Sequence, residues 1–132
     1  MKYFLKTITK KKDVDLQQMA VNMGLSPIIY CTDMESYIEM EDLEEMNIAD
    51  KYGNEIYDIP EYILDQIYSI ILRLYKECGI QYIDVTPYNF IEKKGKVWII
   101  DFSKAYIGGT LDSYLKKVLN NRKIIDWNPY YK

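Results

Sequence analysis

Between Pro60 and Gly79 the chain carries one unbroken stretch of helical period whose apolar face is too wide to be left in water. Ile63, Ile67, Ile70 and Leu74 fall on one stripe, with Leu64, Ile71 and Cys78 beside it. That is the spacing of a helix that packs against other elements along its whole length. Pro60 suits the first turn, because the N–H it lacks is one that a helix start leaves unbonded anyway. Gly79 supplies the left-handed residue that ends the helix. Such a helix needs a partner layer. With 132 residues, 48% of them hydrophobic, the chain has enough apolar material for one core and too little length for two ordinary domains.

The remaining segments supply that layer. Tyr3-Phe4-Leu5-Lys6-Thr7-Ile8 has the aromatic and β-branched content of a short strand. Leu16, Met19, Ala20 and Met23 recur at helical spacing, which predicts a helix over about 13–23. Asp13 or Asp15 would cap its start, Gly24 would close it, and Pro27 follows as a stop. Ile28-Ile29-Tyr30 and Tyr37-Ile38-Glu39-Met40 read as two strands joined through Thr32-Asp33-Met34-Glu35. An acidic stretch from Glu39 to Glu45 leads into a short helix ending near Gly53. After the long helix and an irregular segment around Asp84, the pattern predicts a hairpin from Asn89-Phe90-Ile91 to Val97–Ile100, turning at Lys93-Lys94-Gly95. Leu111, Tyr114, Leu115, Val118 and Leu119 mark a last helix, and the tail from Trp127 to Lys132 has no clear period. The order is α+β: a single domain over 1–132, with a break near residue 53 between a small sheet-bearing half (about 1–53) and a helical half (about 54–132).

Composition removes several chemistries. Histidine is absent, which excludes Ser-His and Cys-His nucleophilic schemes and the usual zinc sites. Two cysteines, Cys31 and Cys78, make neither a disulfide framework nor a metal cluster. Seventeen basic against 20 acidic residues give a formal net charge of -3, which weighs against a nucleic-acid partner bound by phosphate neutralisation. No apolar run approaches the ~20 residues that cross a bilayer, and Met1–Lys6 lacks the apolar block of a signal peptide. The expectation is a soluble intracellular, cytoplasmic chain with neither a membrane nor a nucleic-acid partner.

Three polar residues stand where packing alone would not put them. Asp84 lies in Tyr82-Ile83-Asp84-Val85-Thr86-Pro87-Tyr88-Asn89-Phe90, after the long helix. Asn89 enters the first hairpin strand, and Asp101 follows the apolar run Val97–Ile100. A hairpin brings Asn89 and Asp101 to the same end of its two strands. An acid, an amide and a second acid gathered there could hold a hard divalent cation through oxygen, and the first acid could take a proton from an attacking hydroxyl.

On these residues the sequence resembles the protein kinase-like superfamily, whose catalytic loop reads H-R-D-x-x-x-x-N and is followed by a hairpin and D-F-G. Tyr82 replaces the histidine, Asp84 and Asn89 keep the five-residue step, and Asp101-Phe102-Ser103 resembles D-F-G with serine for glycine. The helix over 13–23 and the two strands after it resemble helix αC and strands β4 and β5. Met40-Glu41-Asp42-Leu43 resembles the hinge, with Met40 as gatekeeper, and the helix from Pro60 resembles αE. The sequence departs further from the family: there is no glycine-rich hairpin, no A-P-E motif, few residues follow Ser103, and only Lys6 is at hand to match the β3 lysine. In these it is closer to atypical kinases, and Thr86–Ile91 is similar to the small kinase-like proteins of large DNA viruses.

The resemblance implies a reduced kinase-like fold: a small N-terminal antiparallel sheet lacking the glycine-rich hairpin, and a shortened helical lobe carrying a catalytic-loop hairpin. It implies ATP as substrate and Mg²⁺ as cofactor, with phosphoryl transfer to a hydroxyl of a protein or a small molecule. Asp84 would be catalytic. Asn89 and Asp101 would hold the metal. Lys6, Glu41, Leu43, Ile91 and Ile100 would bind ATP, Glu41 and Leu43 through their backbone. Asp15 would be the ion-pair partner of Lys6, with Gln17 as the fallback. The alternative is a catalytically inactive pseudokinase, a nucleotide-binding or protein-interaction module. A sheet edge left open by the absent strands would suit a protein partner or a homodimer. If the chain is viral, the place of action would be the host cytoplasm or the virion.

Overall fold

A computed structural model describes residues 3–8 and 10–130; the extreme ends, Met1-Lys2 and Tyr131-Lys132, fall outside them. In chain order the elements are β1 (Tyr3–Thr7), α1 (Lys11–Asn22), β2 (Ile29–Thr32), β3 (Tyr37–Glu41), α2 (Ile48–Tyr52), α3 (Glu61–Cys78), β4 (Ile80–Gln81), β5 (Phe90–Lys93), β6 (Lys96–Ile99), β7 (Tyr106–Ile107) and α4 (Ser113–Asn121). Short 3-10 turns cover Ile56–Asp58 and Pro87–Asn89.

The apolar stripe of the long helix is buried along α3. Ile63, Ile67, Ile70, Ile71 and Leu74 are all withdrawn from solvent, each contributing roughly 2 kcal/mol by removal of apolar area from water. Pro60 opens the helix as its N-cap, and its carbonyl accepts the N–H groups of Ile63 and Leu64. Gly79 adopts φ +69°, and its N–H returns to the last turn at Tyr75.

The N-terminal sheet has three antiparallel strands in the order β1-β3-β2, with Lys6 opposite Ile38 and Phe4 opposite Met40. Ile38 and Met40 point into a small apolar cluster with Ile8 and Val14, so α1 covers that face. The β2–β3 turn is held by Asp33, whose carboxylate accepts backbone N–H groups from Glu35, Ser36 and Tyr37. The Ser36 hydroxyl, with those N–H groups, keeps that carboxyl well below the usual range.

Some local details differ from the sequence expectation. Neither Asp13 nor Asp15 caps α1: the N-cap is Lys10 and no side chain caps it. Asp13 is instead buried on the inner face and Asp15 is exposed. Asn89 belongs to the 3-10 turn before β5 rather than to the strand.

The C-terminal half is built around the β5–β6 hairpin, which turns through Lys94 and Gly95, both at positive φ (52° and 81°). That is the two-residue turn whose twist suits a tight hairpin. Leu111 lies just ahead of α4, whose N-cap Asp112 accepts the N–H groups of Tyr114 and Leu115. A larger core joins the two halves. Leu16, Ala20 and Leu25 from the α1 region pack with Ile48 of α2, the stripe of α3, the hairpin, and Leu115 and Trp127. The Leu25–Ser26 segment is stitched to β6 by Ile99 N–H to Leu25 O (2.9 Å) and Ser26 hydroxyl to Ile99 O (2.7 Å). Among the described residues no helix is long and apolar enough to cross a membrane.

Candidate functional site

Between the N-terminal sheet and the hairpin lies a cavity of about 350 Å³, and residues far apart in sequence meet on its walls. Lys6 and Phe4 enter from β1. Met40, Glu41 and Leu43 come from the end of β3 and the segment after it. Ile91, Ile100, Asn89 and Asp101 come from the hairpin and its base.

The hairpin register explains the last group. Phe90 pairs with Ile99, and Ile100 N–H bonds to Asn89 O at 3.1 Å, so Asn89 is held beside the strand that delivers Asp101. Every residue expected to bind nucleotide or metal (Lys6, Glu41, Leu43, Ile91, Ile100, Asn89 and Asp101) therefore lines one cavity.

Asp84 sits behind that wall. The Asn89 side chain donates from Nδ2 to the Asp84 carbonyl at 2.8 Å. The Asp84 carboxyl is half-buried, and burial raises its pKa; the Asn89 amide and Lys104 oppose the rise, and Asp101 adds to it. Asp101 goes the other way. Burial pushes its carboxyl up, but the Lys6 ammonium at 3.7 Å and the Ser103 N–H at 2.9 Å outweigh burial and hold it below the ordinary range.

The partner of Lys6 is not on α1. Asp15 is exposed and forms no ion pair among the described residues, because its position in the helical turn points it to solvent. Gln17, two residues on and so on the opposite side of the helix, is fully buried; its Nε2 reaches Pro27 O (3.4 Å) and Met40 Sδ (3.5 Å), and among the described residues its Oε1 has no partner. Lys6 turns instead to Asp101 and to the Ile100 carbonyl at 3.2 Å.

Aromatic packing fixes the segment carrying Asp101. Phe102 is fully buried. Its ring meets Tyr82 edge-on at 5.5 Å, and Tyr82 meets Phe90 at 6.1 Å. Among the described residues the Tyr82 hydroxyl has no hydrogen-bond partner; burial raises its pKa well above the usual value, the Asp101 and Asp84 charges reinforce this and the Asp101 backbone opposes it, so it stays protonated.

Sequence reasoning missed Phe4, Glu45 and Tyr88 on the cavity wall. The alternation of a strand would have found Phe4, two residues from Lys6 on the same face. Glu45 carried no such signal, since it is placed by the left-handed turn at Glu44 (φ +58°).

The donor set suits a hard cation shared with a ligand. Asp101 offers a carboxylate. Asn89 spends its NH₂ on Asp84, which leaves the amide oxygen as an acceptor. Among the described residues no three His, Cys, Asp or Glu side chains gather, so the protein forms no closed cage. Mg²⁺ is typically bound by one or two side-chain oxygens, with phosphate and water completing the octahedron, and Asn89 with Asp101 fits that pattern.

Residues 32–110, more than half of the chain, match the family described as the RIO domain. No curated protein matches the chain.

Proposed function

Because the chain belongs to the RIO domain family, within the protein kinase-like superfamily, we propose that this kinase-like ATP-binding protein transfers the γ-phosphoryl group of ATP to a hydroxyl of a protein or small molecule. The adenine lies between Leu43, Ile91 and Ile100, with Met40 at the back and the backbone of Glu41 and Leu43 along its polar edge. Lys6 neutralises the phosphates. Asn89 and Asp101 would hold Mg²⁺, which would supply neutralisation of phosphate charge. Asp84 orients the acceptor hydroxyl and takes its proton as the oxygen bonds to the γ-phosphorus, and the bond to the β-phosphate oxygen breaks to leave ADP. Positioning and electrostatics carry most of such a transfer. The raised pKa of Asp84 makes it a better proton acceptor than an ordinary aspartate.

The observation that carries this reading is the convergence of Lys6, Asn89 and Asp101 on one apolar-floored cavity with Asp84 behind it. On the same reading the sheet-bearing residues to about 53 act as a reduced N-lobe and the rest as a shortened C-lobe.

A second reading, ATP binding without transfer, draws support from Lys6 being engaged with Asp101 and from serine in the triplet at Ser103. Two measurements separate them. ATP with Mg²⁺ should raise the melting temperature, since a ligand of the folded state stabilises it. Radiolabel transfer from γ-labelled ATP should then be present in the wild type and lost in Asp84→Ala. Binding with no transfer by the wild type selects the second reading, and no thermal shift at millimolar ATP rejects both.

A further inference from the structure

The tail after α4, which showed no period in the sequence and lies beyond the family match, is fastened to the backbone on both sides of Asp84. Trp127 and Asn128 are buried, at 2% and 4% exposure. The Trp127 indole N–H donates to Asn54 O at 3.0 Å, anchoring the tail to the loop before α3. Asn128 then makes two bonds to the catalytic-loop segment: its backbone N–H donates to Val85 O at 3.0 Å, and its side-chain Nδ2 donates to Ile83 O at 2.7 Å. Its remaining side-chain atom, Oδ1, accepts the Tyr130 N–H at 3.1 Å.

The segment it grips has a demanding geometry. Val85 N–H bonds to Ile83 O at 2.9 Å, so Asp84 is the central residue of a three-residue γ-turn. A second such bond follows, Thr86 N–H to Asp84 O at 3.1 Å, and bonds this local do little by themselves to hold the segment against solvent. Here every carbonyl of the turn is held from outside it: Ile83 O and Val85 O by Asn128, and Asp84 O by the Asn89 amide. Asn89 acts from the cavity side and Asn128 from the opposite end of the chain. The direction in which the Asp84 side chain leaves the backbone is set between them.

We infer that Asn128 is a positioning residue for Asp84, and that the tail from Trp127 to Tyr130 is a working part of the site. The inference rests on the reading of Asp84 as the proton acceptor. Misplacement of a reacting group by about 1 Å can cost about 100-fold in rate, whereas the ATP cavity has no wall residue in the tail. The effect therefore falls on kcat and spares ATP binding.

Asn128→Asp keeps the size and the acceptor for Tyr130 but replaces the donor to Ile83 O with an acceptor; Asn128→Ser shortens the reach. In the full chain with ATP and Mg²⁺, either folded variant should lose about 10- to 100-fold in kcat. KM for ATP should stay within about twofold and the acidic limb of the pH–rate profile should shift, since a merely structural loss would move neither the limb nor the kcat-to-KM split. Wild-type kcat and pH profile in a folded variant overturn the inference. Amide hydrogen exchange reads the same anchor without activity. In the wild type the Asn128 N–H should exchange as slowly as the core of the 82–89 segment, and in a folded variant 82–89 should lose protection while α3 keeps it. Rapid exchange at Asn128, or unchanged protection at 82–89 in a variant, overturns the inference even if neither variant catalyses. Absence of transfer in the wild type, with the exchange result as expected, places the failure in the catalytic reading of Asp84 instead.

Discussion

The Lys6 ammonium lies 3.7 Å from the Asp101 carboxylate and donates to the neighbouring Ile100 carbonyl at 3.2 Å. One contact thus joins the edge strand of the N-terminal sheet to the residue after the hairpin, across the mouth of the cavity. It places a cation on the cavity wall and favours the ionised form of Asp101. A small set of consequences can be measured.

Lys6→Met should weaken ATP–Mg²⁺ binding by about tenfold or more, the worth of one charged hydrogen bond, read by titration calorimetry. Its effect on stability should be small, because Asp101 remains partly exposed and such pairs contribute little. The sign with pH is definite. Asp101 has a lowered folded-state pKa, so the stabilisation from its ionised form is present above the unfolded value of about 4 and is lost as pH falls through the folded value. The difference in melting temperature between wild type and Lys6→Met should therefore shrink on acidification below about pH 4. A constant gap would remove the ion pair from the account.

Asp84 titrates in the opposite sense. Its folded-state pKa is raised by burial, so ionising it opposes folding at neutral pH and the native state is favoured below the unfolded value. Asp84→Asn should leave the melting temperature at pH 7 unchanged or higher while abolishing transfer. In the wild type, the acidic limb of kcat/KM should lie above the ordinary aspartate value of about 3.9.

Glu92, at 4% exposure, accepts the hydroxyls of Tyr52 (2.5 Å) and Tyr62 (2.7 Å) and pairs with Lys51 at 3.0 Å. It ties α2 and the start of α3 to the hairpin strand carrying Ile91. Glu92→Ala strands two hydroxyls without their acceptor and should cost about 3 kcal/mol in urea unfolding at pH 7. Burial raises the Glu92 carboxyl, but Tyr52, Tyr62 and Lys51 outweigh it and leave it lowered. Its contribution should persist above the unfolded value of about 4.3 and fade as pH drops through the folded value.

Tyr82→Phe should be neutral or stabilising by up to about 1 kcal/mol, because it removes a buried hydroxyl that has no partner among the described residues. The edge-on contacts with Phe90 and Phe102 need only the ring. A clear fall in the urea midpoint would mean that the hydroxyl has a partner in solution.

Much of the site could be read from spacing. The step from Asp84 to Asn89 and the apolar run ending at Asp101 are local patterns, and a hairpin turning at Lys94-Gly95 brings their ends together. The α3 stripe was equally legible, since Ile63, Ile67, Ile70 and Leu74 recur at the helix period and every one is buried. Lys6, Glu41 and Leu43 were placed by resemblance, and they line the same cavity.

What the chain written as a string determined, then, is whatever repeats at the period of a helix or strand, or sits a few residues from its partner: the α3 core face, the hairpin, and the Asp84–Asn89 step. Tertiary packing decided the rest. It turned Lys6 to Asp101 instead of Asp15, buried Gln17 rather than its neighbour, and brought Asn128 against Ile83 and Val85. The Lys6 and Asn128 contacts join residues 43 to 95 positions apart, where no period operates. Which groups meet at that range is set by how the two halves share one core and where each polar group finds its hydrogen bonds.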